Sequence, residues 1–199
     1  MYNPYDFYFK KAKQVGYKAR SAFKLDEIQD KFHLFDKTTK HIIDIGCAPG
    51  SRLQYAISQS QKHQVKDYKI VGFDIKVVTL NLPGLVTYQQ DVTDQVKVRE
   101  LLGEQGITQV DLIQSDMAPN TTGIKDLDAM RSMGLIQDTL WMYKEILKPE
   151  GKFVIKVFMG PGFQEFVADL KAHFGGNHIK IFKPKACRSE SKETYIVKI

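Results

Sequence analysis

HIIDIGCAPGSRLQY, from His41 to Tyr55, is the stretch on which the reading of this chain turns. An apolar run too short for a helix ends at an acid and a glycine, passes a proline–glycine pair, and continues at helical spacing. Short apolar runs bounded by turn residues read as buried strands, and the change of period after the turn reads as a helix. We therefore place a strand at 41–46 and a helix at 50–61. Working outward, further strands are predicted at 69–74, 86–91, 110–116, 151–158, 178–183 and 194–199, with helices at 94–104, about 126–148 and 162–174. Pro149–Glu150–Gly151 reads as the stop between the long helix and the fifth strand. A helical region over roughly 5–33 precedes the first strand. Strand–helix alternation predicts an α/β fold, a mostly parallel sheet with helices on both faces. No repeat or linker divides the 199 residues, so a single domain over 1–199 is expected.

Composition narrows the class. No apolar run approaches the ~20 residues needed to span a membrane, and the first residues, MYNPYDFYFKKAKQ, lack an apolar signal core. Cys47 and Cys187 are the two cysteines, too few for a disulfide framework or a Cys/His zinc site, so no metal is expected and a reducing intracellular setting is the plain reading. The net charge of +6 is concentrated at the ends: residues 1–40 carry nine Lys/Arg against five Asp/Glu, and residues 180–199 carry six against two. Between Lys10 and Lys24 there are six basic residues and no acid, interleaved with Tyr17 and Phe23. This is the footprint of a surface for a nucleic-acid backbone. A solvated helix face would read the same way, and the charge run alone does not separate the two.

In an open parallel sheet, ligands sit at the carboxyl ends of the strands. Four predicted strands end on Gly46, Asp74, Asp91 and Asp116, and so converge on one edge. Singly, each has a plainer explanation as a tight-turn glycine or a cap; together they define a site. The turn reads Gly-Cys-Ala-Pro-Gly-Ser, which is neither a dinucleotide nor a P-loop fingerprint, and Pro49 removes one N–H donor. Such a turn is poor for pyrophosphate but allows close approach of an uncharged or zwitterionic ligand. Carboxylates at strand ends suit ribose hydroxyls and repel phosphate. S-adenosylmethionine, a nucleoside with a sulfonium and an amino acid but no phosphate, meets these demands.

Three more residues stand out. Lys156 lies inside the otherwise apolar strand GKFVIKVF, an expensive place for a lysine unless it is paired or faces a cleft. Lys24 interrupts the apolar side of SAFKLDEI, and Glu193 immediately precedes TYIVKI. A snorkelling lysine and a solvated edge acid are the plain alternatives for these two.

With SAFKLDEI, DIGCAPGS, VGFDI, QQDVTD, SDMAPN, VIKVFMGPGF and KPKACRSESKETYIV in this order over nearly the whole chain, the sequence resembles the FtsJ/RrmJ-type RNA ribose 2′-O-methyltransferases. The resemblance implies a Rossmann-like S-adenosylmethionine-dependent methyltransferase fold with a seven-stranded sheet and an N-terminal helical extension. It places the family's catalytic set on Lys24, Asp116, Lys156 and Glu193, and cofactor contacts on Gly46, Pro49, Gly50, Ser51, Arg52, Asp74, Asp91, Val92 and Asp116. One departure is clear: the family turn usually continues with a small residue and an aromatic, whereas here Ser51 is followed by Arg52. SDMAPNTTGIKDLDAMR and KPKACRSESKE resemble the mitochondrial-type large-subunit branch, which implies a uridine ribose of the ribosomal A-loop as target. Ribosomal RNA or a large-subunit precursor is then the expected partner of a monomer, inside the cell, in an organelle as the branch implies or otherwise in cytoplasm or nucleus. Residues 1–40 would form a basic RNA-binding extension, with Lys10, Lys11, Lys13, Lys18 and Arg20 on the RNA backbone, joined by Lys185 and Arg188.

A ribose hydroxyl is a weak nucleophile, and Lys156 is the candidate base. Two opposing influences act on it: Lys24 disfavours its charged form by repulsion, and Asp116 favours it. The rival readings are a tRNA anticodon-loop 2′-O-methyltransferase with the same four residues, a small-molecule methyltransferase, and a non-catalytic RNA-binding assembly factor. A nicotinamide oxidoreductase is excluded by the missing phosphate loop.

Overall fold

The computed structural model describes residues 7–188 and 190–199. Residues 5 and 6 of the expected N-terminal helical region, and Ser189 of the KPKACRSESKE stretch, lie outside them. In chain order the elements are α1 (Phe7–Val15), α2 (Ser21–Phe32), β1 (His41–Ile45), α3 (Ser51–Lys62), β2 (Lys69–Asp74), β3 (Leu85–Gln89), α4 (Gln95–Glu104), β4 (Val110–Ser115), α5 (Lys125–Trp141), β5 (Leu147–Phe158), α6 (Phe163–Phe174), β6 (Ile179–Phe182) and β7 (Glu193–Lys198). The seven strands form one sheet in the order β3-β2-β1-β4-β5-β7-β6. Every pairing is parallel except those of β7, which runs antiparallel to β5 and β6. The order reverses between β1 and β4, which opens the ligand crevice at their carboxyl ends.

Successive strand side chains point to opposite faces, and the core divides accordingly. Ile43, Ile45, Ile113, Phe153 and Ile155 pack with α4, α5 and α6. Ile42, Leu112, Val154, Tyr195 and Val197 pack with α2 and α3. Ile42, Ile43 and Ile45 are fully buried, each worth about 1.5–3 kcal/mol of transfer free energy, so β1 is anchored on both faces. The predicted N-terminal helical region is two helices, separated near Gly16 at φ 83°.

Most element ends shift by a residue or two from the sequence reading, and the largest change lies between the long helix and the fifth strand. The long helix ends at Trp141, a π-helical turn covers Met142–Ile146, and β5 begins at Leu147. Pro149–Glu150–Gly151 therefore lies inside the strand rather than before it. Proline has no N–H for the ladder, so the chain bulges there. The pairing jumps from Val110↔Leu147 to Leu112↔Lys152. The carbonyls released by the bulge are met by Lys198, whose Nζ donates to Pro149 O at 2.9 Å and also to Gly151 O. The third strand ends at Gln89, two residues before Asp91.

Candidate active site

The parity of the strands assembles the site. Asp44 lies two residues from Ile42 on β1, Gln114 two from Leu112 on β4, Lys156 two from Val154 on β5, and Glu193 two from Tyr195 on β7. All four residues thus project to the face covered by α2 and α3. The register aligns Asp44 with Gln114 and Lys156 with Tyr195. Asp116 follows β4 directly and continues its alternation. Lys24 comes down from α2 and Arg52 from the first turn of α3.

The four expected catalytic residues meet as two linked ion pairs. Lys156, 8% exposed, donates from Nζ to the backbone O of Asp116 at 2.7 Å and lies 2.9 Å from Asp116 Oδ1. Lys24 donates to Glu193 Oε1 at 2.5 Å, and the Tyr195 hydroxyl donates to the same oxygen at 2.6 Å. Burial is the main cause that lowers the Lys156 ammonium to about 7; Glu193 opposes this, while Arg52 and Lys24 add to it. The Glu193 carboxyl, which burial alone would raise, is held below its ordinary value by the charge and hydrogen bond of Lys24. Burial and Glu193 push the neighbouring Cys187 thiol up to about 12, so it adds no charge near neutral pH.

The glycine turn is built by contacts that the sequence hides. Gly46 has φ 70°, and a Cβ there would lie 3.1 Å from the backbone N of Met117, so glycine permits the loop after β4 to approach. Gly50, at φ 107°, caps the start of α3; a Cβ on it would overlap Leu80 Cδ1 at 2.3 Å. Pro49 is exposed at the edge. Asp74 stitches β2 to this turn: Oδ2 accepts from Ala48 N and Oδ1 from Lys76 N, both at 2.8 Å. Asp91 lies in the turn after β3, where Oδ1 accepts from Thr93 N at 3.0 Å and Thr93 Oγ1 at 2.9 Å. It is exposed, and Val92 beside it is buried.

Ser51 and Arg52 point inward. The Ser51 hydroxyl is 2.7 Å from that of Ser21 and ties α3 to α2. Arg52 reaches back under the turn. Its Nη1 lies 2.7 Å from Asp116 Oδ2, and its Nε and Nη2 donate to Asp44 Oδ1. Nη2 also donates to Ile45 O at 3.1 Å and Gly46 O at 2.9 Å. The side chains of both residues are thus engaged in internal bonds, because a guanidinium taken from water at this depth needs carboxylates and carbonyls around it.

Asp44 was missed in the sequence reading. It is 0% exposed. Its signal was present: an acid at an inward position of an apolar strand requires a cation, and Arg52 follows at the start of the next helix. Tyr195, the partner of Glu193, carried no such signal.

The basic residues from the two ends of the chain come together. The carboxylate of Glu27 on α2 accepts from Lys185 N at 2.6 Å and Ala186 N at 2.8 Å, and Arg20 Nη2 donates to Ala186 O at 2.6 Å. Burial and the nearby Arg188 charge lower the Arg20 guanidinium from its ordinary value. Lys10, Lys11, Lys13, Lys185 and Arg188 are exposed. Lys11 lies over the Phe23 ring at 4.8 Å, and Lys18 donates to Thr79 O at 3.2 Å, toward the segment that covers Gly50. Among the described residues no cluster of three His, Cys, Asp or Glu is placed to hold a metal ion. No described helix is long and apolar enough to cross a membrane.

Comparison with known proteins follows the same lines. The FtsJ-like methyltransferase family profile matches residues 17–199. Proteins named ribosomal RNA large subunit methyltransferase E from Pelagibacter ubique and Desulfatibacillum aliphaticivorans are 41% and 40% identical, over 96% of this chain and 90% and 88% of theirs. That of Methanothrix thermoacetophila is 38% identical over 96% of this chain and 71% of its own. A crystal structure from Plasmodium falciparum, described as a ribosomal RNA methyltransferase, superposes with a TM-score of 0.76 at 26% identity, covering 92% of this chain and 97% of that one. Human methyltransferase-like protein 13, solved with SAH, shares the fold with a TM-score of 0.60 at 17% identity, over 89% and 81% of the two chains. The seven-stranded sheet, its crevice between β1 and β4 and this sequence match together show that the chain belongs to the FtsJ-like methyltransferase family.

Proposed function

We propose that the protein transfers a methyl group from S-adenosylmethionine to a ribose 2′-hydroxyl of large-subunit ribosomal RNA, with a uridine of the A-loop as target. The observation that carries this is Lys156, a lysine buried at the strand-end edge 2.9 Å from Asp116, where burial lowers its ammonium to about 7. A small-molecule methyltransferase has no use for the basic surface at the two chain ends. The names and close similarity of the relatives support ribosomal RNA over tRNA.

The edge suits this cofactor. Arg52, the only cation of the turn, is directed inward onto Asp44 and Asp116, so the turn itself presents no charge for a phosphate, and Asp74 and Asp91 are left to ribose hydroxyls. Gly46, Pro49, Gly50, Asp74, Asp91 and Val92 would hold the cofactor, the backbone of Ser51 and Arg52 completing the turn. When bound, S-adenosylmethionine supplies a methyl group on a sulfonium, open to in-line displacement by an oxygen. Lys156 in its neutral form accepts the proton of the 2′-hydroxyl as that oxygen attacks. Asp116 orients the Lys156 amine through its carbonyl and carboxylate. The Lys24–Glu193 pair positions the ribose and keeps a cation near Lys156. Lys10, Lys11, Lys13, Lys18, Arg20, Lys185 and Arg188 contact the RNA backbone, which makes binding salt-dependent. The chain acts as one intracellular, monomeric domain in which residues 1–40 serve as the RNA-binding extension.

The test is transfer of labelled methyl from S-adenosylmethionine to large-subunit particles, large-subunit ribosomal RNA and total tRNA, with Lys156→Ala as control. Lys156-dependent label in the large-subunit samples, mapped to an A-loop uridine, is expected. Label in tRNA instead identifies an anticodon-loop enzyme. No label despite cofactor binding, with intact particles supplied, identifies a non-catalytic RNA-binding factor.

A further inference from the structure

Arg52 is 6% exposed and carries a planar guanidinium fork with five N–H donors. Its charge at this depth is met by Asp44 on one side and Asp116 on the other. These two carboxylates belong to β1 and to the loop after β4, the two strands that flank the crevice. Through Gly46 O the same fork grips the glycine turn. Asp116 is therefore shared: Oδ2 lies 2.7 Å from Arg52 Nη1, and Oδ1 lies 2.9 Å from Lys156 Nζ.

We infer that Arg52 is a positioning residue for methyl transfer, clamping the Asp116 carboxylate so that its other oxygen and its carbonyl aim the amine of Lys156 at the substrate hydroxyl. This rests on the assignment of Lys156 as the base. A fork with donors on three nitrogens can hold both acids in fixed register, which a single ammonium cannot. The charge acts in the same direction as the geometry. Lys156 is faced by Asp116 from the β4 loop, Arg52 from α3, Lys24 from α2, Glu193 and Tyr195 from β7, and Cys187 from the loop before β7. Asp44 is the second anion of the cluster, and Arg52 covers it. Without Arg52, Asp116 would turn its whole charge on Lys156 and hold the proton there. An aromatic residue, which the family pattern has at this position, offers neither the fork nor the charge.

The experiment compares Arg52→Gln, Arg52→Lys and the double variant Asp44→Asn/Arg52→Gln with the wild-type protein and with Lys156→Ala. The double variant removes both buried charges together, so that no uncompensated carboxylate is left to unfold the protein. Cofactor dissociation constant, kcat at saturating cofactor and the pH dependence of kcat are read for each. Expected for Arg52→Gln and the double variant are a kcat loss of roughly 10- to 100-fold, cofactor binding within about threefold, and a pH midpoint displaced upward by about 1 unit. Arg52→Lys keeps the cation without the fork, so its midpoint stays near wild type while kcat is intermediate. A folded double variant with wild-type kcat and midpoint would overturn the inference. So would loss of cofactor affinity with kcat unchanged, which makes Arg52 a cofactor-site residue. If both glutamine variants fail to fold, Arg52→Lys decides: wild-type kcat overturns the clamp, and an intermediate kcat with an unmoved midpoint supports it. If Lys156→Ala is itself active, the base assignment fails, whatever Arg52 does.

Discussion

The two halves of the strand-end edge are built by different means. On the β2–β3 side the carboxylates bond turn amides, mostly close in the chain: Asp91 bonds Thr93, and Asp74 bonds Lys76 and, 26 residues away, the Ala48 amide of the glycine turn. On the β4–β7 side they are satisfied across the fold: Lys24 meets Glu193 and Arg52 meets Asp116, residues far apart in the chain. Local bonds shape a binding surface that stays polar and accessible. Long-range bonds bury charge, and burial is what changes reactivity, since it brings Lys156 to about 7. Shape recognition on one side and altered acidity on the other is the division of labour that a methyl transfer to a weak nucleophile requires.

If that division holds, Lys156→Ala should have the largest effect. A rate loss of at least ~10²-fold is expected with cofactor affinity near wild type, read by single-turnover transfer beside cofactor titration. Equal losses in both would erase the contrast between the halves. The wild-type pH profile sharpens the same point. If Lys156 is the base it works only when neutral, and its ammonium is lowered to about 7, so kcat should rise with pH below 7 and level off above it. A rate that is flat from pH 6 to 8 would remove the reactive half from the comparison.

Smaller and opposite in kind is Gly50→Ala. The left-handed φ of 107° and the overlap with Leu80 should cost the turn about 1–2 kcal/mol. Weaker cofactor binding by roughly tenfold is expected, with kcat at saturation nearly kept, measured by calorimetry and steady-state kinetics. Smallest should be Asp91→Asn, because an exposed amide oxygen still accepts from Thr93. A change in cofactor affinity of under about fivefold is expected; a hundredfold loss would show that this acid bears more of the binding than its exposure and local bonding suggest.

Legibility in the sequence follows the same line between local and distant bonding. The strands and most helices were readable because apolar alternation and turn residues act within a few positions. β2 matches its predicted span of 69–74, and Gly46 and Gly50 were recognisable as turn glycines. Pro149–Gly151 misled because proline stops a helix and bulges a strand for the same reason, a missing N–H, and only the neighbouring β4 shows which of the two occurs. The four catalytic candidates were legible mainly through resemblance. Period-two parity would place Lys156 and Glu193 on one face only once their strands are known to be neighbours.

What the amino-acid sequence determined by itself is the set of elements, the edge on which the strand ends collect, and the identity of the charged residues there. What the tertiary structure alone decided is their partners. Arg52 could have faced a ligand or the interior, and Ser51 likewise. For Ser51 the choice is made by Ser21 on α2; for Arg52 it is made by Asp44 and Asp116, brought within reach by the pairing of β1 with β4, because a buried charge is stable only beside its counter-charge and that distance is set by the sheet.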